Sequence, residues 1–230
     1  MEEYFIIVAA GLFVAADITV FGQFMISQPL VSTFAAGVLL GYPEAALTIG
    51  IIMQCMWMKL VPAGGSVYLN GNLGSLAAFS VYALTRETLR VPEDSLIFCC
   101  LIYGIVSSYF FGLATVLQRK ANQHFLPRVH EMVKNERFLQ FQAVHFLGVL
   151  STGIGGGVLV LLMSLFGTLL LSLLGESFYF TITGYSKFGT AALLGTGFGT
   201  MLSMIWERQA LKFPAMGILA GIALIYIFSL

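Results

Sequence analysis

Charge is what this chain has least of. Only 10% of its 230 residues are Asp, Glu, Lys or Arg, against about 25% in an ordinary soluble domain. So few charges cannot clothe a water-facing surface, and most of the outside is expected to face lipid. A mean hydropathy of +0.91 agrees. An excess of either sign is also missing, since Lys+Arg and Asp+Glu are 11 each. That removes any electrostatic case for nucleic acid or a strongly charged partner. Cysteine is scarce: Cys55, Cys99 and Cys100 lie within apolar runs, with neither metal-ligand spacing nor a disulfide framework. They read as lipid-facing or packing residues, and no metal or cofactor is expected. A basic leader is absent too, because Met1-Glu2-Glu3 is acidic and the apolar stretch 4–24 exceeds a signal-peptide core. That stretch is expected to stay as a first membrane segment. Residues 1–230 fit one membrane domain, with no room for a separate soluble catalytic domain.

What the chain does have is apolar segments of unequal length. Two of them, 29–42 and 45–58, are separated by Gly41-Tyr42-Pro43-Glu44, and Val61-Pro62-Ala63-Gly64-Gly65 follows Lys59. A straight helix needs about 20 apolar residues to cross the hydrocarbon core, so neither segment spans alone. Paired short segments with Gly/Pro breaks point to a carrier's substrate site, because broken helices leave backbone groups that only protein or a polar cavity can satisfy. Further segments are expected at 67–84, 95–117, 144–174, 188–206 and 213–230. The fold predicted is all-α, a polytopic membrane protein of six to eight segments with broken or re-entrant helices near the midplane.

Residues 118–142 form the one long polar segment, and Phe125, Val129, Met132 and Val133 recur there at helical spacing. An amphipathic helix is expected inside it. Arg119, Lys120, Arg128, Lys134 and Arg137 gather in the same stretch. Basic residues are retained on the cytoplasmic side during insertion, which makes this loop cytoplasmic and puts the acidic N-terminus outside.

Gln23-Phe24 with Gln28-Pro29-Leu30, then Gly37-Val38-Leu39-Leu40-Gly41, then Gly50-Ile51-Ile52 with Gln54, resemble the N-terminal half of a known membrane subunit. The family is the mannose/fructose/sorbose family of the bacterial sugar phosphotransferase system (PTS), and the subunit is its membrane component IIC. Glu136-Arg137-Phe138 leading to His145 is similar to a family loop, and 184–204 to its glycine-rich late helix. The resemblance implies group translocation of a hexose or amino sugar across the bacterial inner (plasma) membrane. It implies a IID membrane partner, soluble IIA and IIB proteins that carry the phosphoryl transfer, and an oligomer. The IIC chain is then a transport subunit and not itself an enzyme. Family members usually carry carboxylates where this chain has Gln54 and where Leu69-Asn70-Gly71-Asn72 stands. The chain also stops soon after Phe213, where the family commonly continues.

Five residues are candidates for sugar contact. Asp17 is a carboxylate inside the first apolar segment, costly at membrane depth and by default functional; its alternative is a place near an interface or at a helix break. Gln54 on the second short segment matches the family glutamate. Asn70 and Asn72 flank Gly71, where turn formation alone would explain them, and Gln28 precedes Pro29. Elsewhere the structural readings lead. Lys59 is expected to snorkel, Glu44 to open a helix, and Gly153-Ile154-Gly155-Gly156-Gly157 to permit close helix packing. Glu176 and Lys187 bracket Phe178-Tyr179-Phe180 and are read as an interface. His145 is read as a hydrogen-bonded loop residue in preference to a phosphate acceptor.

An intramembrane serine protease is disfavoured because neither Gly74-Ser75 nor Gly184-Tyr185-Ser186 gives a nucleophile setting. A proton-coupled carrier needs a titrating relay, and Asp17 alone is a poor one. Two alternatives stay open: the substrate-binding subunit of another multi-component importer, and a transport-inactive IIC-like scaffold or sensor.

Overall fold

The computed structural model describes residues 1–59 and 69–204. The Val61-to-Gly65 break, the segment expected at 213–230 and the end of that expected at 188–206 lie outside them. The described residues form eight α-helices and no strand. They are α1 Glu2–Thr19, α2 Pro29–Leu40, α3 Pro43–Trp57, α4 Gly71–Arg86, α5 Glu93–Gln123, α6 Leu126–Lys134, α7 Phe138–Leu173 and α8 Glu176–Met204.

Helices α2 and α3 are a hairpin made by local chemistry. Proline opens each one at its first position, and Gly41, at φ +82°, closes α2 in the left-handed conformation. With 12 and 15 residues, the arms measure about 18 and 22 Å at 1.5 Å per residue. Neither crosses a core of about 30 Å. The arms pack so closely that a Cβ on Gly37 would meet Ala46, and one on Gly50 would meet Thr33. Thr33 Oγ1 sits between them, within 2.7 Å of Pro29 O and 3.1 Å of Ala46 O.

Helix α4 is the centre. Gly71 and every residue from Leu73 to Thr85 are buried, and the helix touches α1, α2, α3, α5 and α7. A helix enclosed all round needs neighbours on every side, and its small residues let them approach. A Cβ on Gly104 of α5 would lie 2.6 Å from Ala78. On the far side α1 packs antiparallel to α7. A Cβ on Gly157 would lie 2.5 Å from the Val8 carbonyl oxygen and one on Gly153 would lie 3.1 Å from Leu12, while Gly156 faces Ala15. The glycine run therefore serves helix packing.

Three boundaries differ from the sequence expectation. Helix α1 stops at Thr19, five residues short of Phe24, because Asp17 draws the following segment back on itself. Helix α5 runs on through Gln118, Arg119 and Lys120 to Gln123. Nothing between 118 and 123 breaks a helix, so polarity there ends membrane depth and not helicity. The polar stretch is mostly helical, with the amphipathic piece at α6. Helix α8 begins at Glu176, just past Gly175 at φ +73°. Phe178-Tyr179-Phe180 therefore lies within its first turns, and Tyr179 is buried, its hydroxyl donating to Leu171 O at 2.9 Å. Lys187 pairs instead with Asp94 at 3.4 Å.

The bundle has two chemically distinct ends. The hairpin tip joins the α4–α5 connection through Tyr42, whose hydroxyl donates to Glu87 Oε1 at 3.2 Å. Burial, then the charge of Glu87 beside it, raises the Tyr42 phenol above its ordinary value. That end carries Glu2, Glu3, Glu44, Glu87, Glu93, Asp94 and Glu176 against Arg86, Arg90 and Lys187. The antiparallel α1–α7 packing puts α6 and the start of α7 at the other end. Among the described residues that end carries Lys59, Arg119, Lys120, Arg128, Lys134 and Arg137 against Glu131 and Glu136.

Candidate functional site

Asp17 is 5% exposed and fully occupied by backbone. Its Oδ1 accepts from Phe24 N at 2.6 Å and its Oδ2 from Ser27 N at 2.8 Å. The segment it holds uses left-handed backbone at Gly22, Gln23 and Met25. A carboxylate receiving two N–H donors is the counterpart of a helix cap, and here it anchors the chain ahead of α2.

Gln54 and Gln28 meet at the start of α2. Gln54 Nε2 donates to Gln28 Oε1 at 2.8 Å, and Gln54 Oε1 accepts from Leu30 N at 3.3 Å. Leu30 is the second residue of α2, so its N–H has no partner within its own helix. Gln54 supplies that partner from α3 and ties the base of the hairpin.

Asn70 stands elsewhere. It caps α4, its Oδ1 accepting from Leu73 N at 3.2 Å, while its own N–H donates to Ser108 O at 2.9 Å. Its Nδ2 donates to Thr115 Oγ1 at 3.2 Å, and that hydroxyl donates onward to Phe111 O at 2.8 Å. The side chain is 3% exposed and joins the start of α4 to the middle of α5.

Asn70 and Thr115 line a cavity of about 510 Å³ between α1, α4, α5 and α7, within the range of about 300–1,000 Å³ usual for small-molecule sites. Its other hydrogen-bonding groups are Gln118, Asn122, Ser151 and Thr152, with Phe111 and Phe125 among the apolar walls. No ionisable side chain lines it among the described residues. Gln28, Gln54, Asp17 and Asn72 lie outside this lining; Asn72 is half-buried in the first turn of α4.

Sequence reading missed the α5 contribution. Thr115, Gln118 and Asn122 recur at i, i+3 and i+7, which puts them on one helix face. That spacing is a readable signal, although Gln118 and Asn122 fall in the polar stretch expected to be a loop. His145 likewise stands in α7, its ring stacked on Phe141 at 6.5 Å and 17°. Lys59 Nζ donates to Ser203 Oγ of α8 at 3.4 Å.

A helical membrane bundle with a half-length hairpin and an uncharged hydrogen-bonding cavity has the build of a carrier for neutral, hydroxyl-rich solutes. The comparisons with known proteins identify the carrier class. The chain belongs to the family of sorbose-specific IIC components of the PTS, whose model, described as "PTS system sorbose-specific iic component", matches residues 2–228. It is a sugar-translocating membrane subunit of that system. A solved structure described as "Structure of membrane protein" shares the fold, with TM-score 0.71 at 13% identity, covering 99% of this chain and 94% of that one. No curated protein matches the sequence significantly.

Proposed function

We propose that this IIC chain carries a hexose or amino sugar into the bacterial cell across the inner membrane, and that the sugar sits in the cavity at Asn70. The observation that carries the reading is the composition of that cavity: among the described residues, amides and hydroxyls with aromatic walls and no charge. Sugar hydroxyls both donate and accept, and Asn and Gln amides offer both kinds of group. Aromatic faces pack against a sugar ring.

In this reading Asn70, Thr115, Gln118 and Asn122 make the polar contacts. Gln28 and Gln54 hold the hairpin base, and Asp17 holds the segment before it. Translocation moves the α2–α3 hairpin and α4 against the long helices α5 and α7, within an oligomer that includes a IID subunit. The basic end of the bundle faces the cytoplasm by the distribution of Lys and Arg. There the IIB protein, charged through IIA, phosphorylates the arriving sugar.

The test is phosphoenolpyruvate-dependent phosphorylation of a panel of labelled hexoses and amino sugars. Membrane vesicles with and without this chain would be supplied with its co-encoded partners and the general phosphotransferase proteins. Phosphorylation of one sugar that requires the chain is the expected result. No chain-dependent phosphorylation, in an assay where a known IIC works, would refute the reading.

A further inference from the structure

The sugar cavity adjoins a second one of about 600 Å³ between α6 and α7, and the two share Asn122, Phe125 and Ser151 as walls. The chemistry changes on passing from one to the other. Among the described residues the first has no ionisable side chain, whereas the second adds Arg128 from α6 and His145 from α7. Building on the sugar-cavity reading, we infer that this second cavity is an oxyanion site for the phosphate group of a sugar phosphate, with Arg128 and His145 as its donors.

Five observations converge on this. Along α5 the polar stripe from Thr115 to Asn122 covers seven residues, about 10 Å of helix. A solute leaving Asn70 therefore meets Asn122 at the threshold of the second cavity. Arg128 and His145 come from different helices that both wall that cavity, and the guanidinium offers the forked donor geometry that suits phosphate oxygens. The Phe141 ring stacked on His145 sets the plane of the imidazole. Val129, Met132 and Val144, all half-buried, supply apolar walls beside the donor pair. Glu131 and Glu136, carboxylates of this end among the described residues, are not part of the lining. A neutral sugar gains only hydrogen bonds from such a pair of donors, whereas its phosphate ester, the chemical product of group translocation, gains a counter-charge as well.

The experiment is calorimetric titration of the full chain in nanodiscs of uncharged lipid, with glucose, glucose 6-phosphate and inorganic phosphate as probes. Saturable binding of both phosphate probes is expected. Arg128→Gln should weaken it by about 10- to 100-fold, as expected for a lost hydrogen bond to a charged group. Arg128→Lys, which keeps the charge and loses the fork, should fall between wild type and Arg128→Gln. His145→Gln should also weaken it. Both residues are exposed, and an unfolding midpoint equal to wild type would verify that the variants fold. Phosphate binding indifferent to Arg128→Gln would overturn the proposal. So would displacement of the probes by phosphatidylglycerol nanodiscs with no gain of glucose 6-phosphate over phosphate, which would make the site a lipid-headgroup site. Failure of the sugar-cavity reading registers separately, as neutral-sugar binding indifferent to changes at Asn70.

Discussion

Asn70 performs two jobs with one side chain, and substitution by serine separates them. Its Oδ1 caps α4 by accepting from Leu73 N, while its Nδ2 points to Thr115 in the cavity. Serine is as good an N-cap as asparagine, whereas alanine at a cap costs about 0.5–2 kcal/mol. Here the abandoned Leu73 N–H is buried, so Asn70→Ala should approach the upper part of that range, about 1–2 kcal/mol. Asn70→Ser should stay within a few tenths of wild type. The shorter hydroxyl no longer offers the amide N–H donors to the cavity. Loss of one neutral hydrogen bond is worth about 0.5–1.5 kcal/mol, or about 2- to 12-fold in sugar affinity. The assay pairs an unfolding midpoint in detergent with equilibrium binding of the labelled sugar that the phosphorylation panel selects. The signature is a serine variant with near-native stability and weakened sugar, and an alanine variant that loses both. If Asn70→Ser binds sugar as tightly as wild type, the residue is a cap alone and the sugar site lies elsewhere.

The other expectations follow from the same hydrogen bonds and contacts. Asp17→Ala removes the acceptor of two backbone donors and should destabilise by about 2–4 kcal/mol, with Asp17→Asn, which keeps one acceptor, losing less; an unfolding midpoint unmoved by either would contradict the anchoring role. Gln54→Ala should lower stability by about 1–2 kcal/mol by orphaning Leu30 N. Gln54→Glu should raise it, because a negative charge at the start of α2 is favourable; tightened hexose binding in that variant would instead put Gln54 in the sugar site. Gly157→Ala should loosen α1 from α7, since its Cβ would stand 2.5 Å from the immovable Val8 carbonyl. Gly155→Ala, whose Cβ meets only Gln118 Nε2 at 3.9 Å, should be neutral or stabilising by up to about 1 kcal/mol. Equal midpoints for the two would refute the packing assignment.

What was legible in the sequence was what rests on local rules. Proline at two helix starts and glycine at a helix end marked the hairpin, and the scarcity of charge marked the membrane. The role of Asp17 was not legible. Its partners are backbone amides seven and ten residues further on, in a turn whose left-handed residues Gln23 and Met25 have no side-chain signature. The cavity wall on α5 was hidden for a different reason. Polar residues past the end of an apolar run look like a loop, but helix formation depends on breakers, and none occurs before Pro127.

Gln54 and Asn70, the two amides expected from the resemblance to replace carboxylates, are best understood through their donors. A carboxylate has no N–H to give, yet both amides give one: Gln54 Nε2 to Gln28 Oε1 and Asn70 Nδ2 to Thr115 Oγ1. The two positions differ in how readily they would revert. Gln28 can turn its own amide over and donate to a glutamate at 54, so Gln54→Glu meets no obstacle. Thr115 has already committed its hydrogen to Phe111 O, so an aspartate at 70 would face lone pairs. Asn70→Asp should therefore bind sugar more weakly than its stronger acceptor alone would suggest, unless Thr115 gives up its bond to Phe111. Thr115→Ala removes the opposing oxygen and should recover part of the affinity in the Asn70→Asp background, while lowering it in wild type, where Thr115 is itself a polar contact. A double-mutant cycle with no coupling between 70 and 115 would show that the amide is not required by its neighbour. Coupling of the expected sign would make Asn70 and Thr115 one uncharged unit in which the amide is the fitted group.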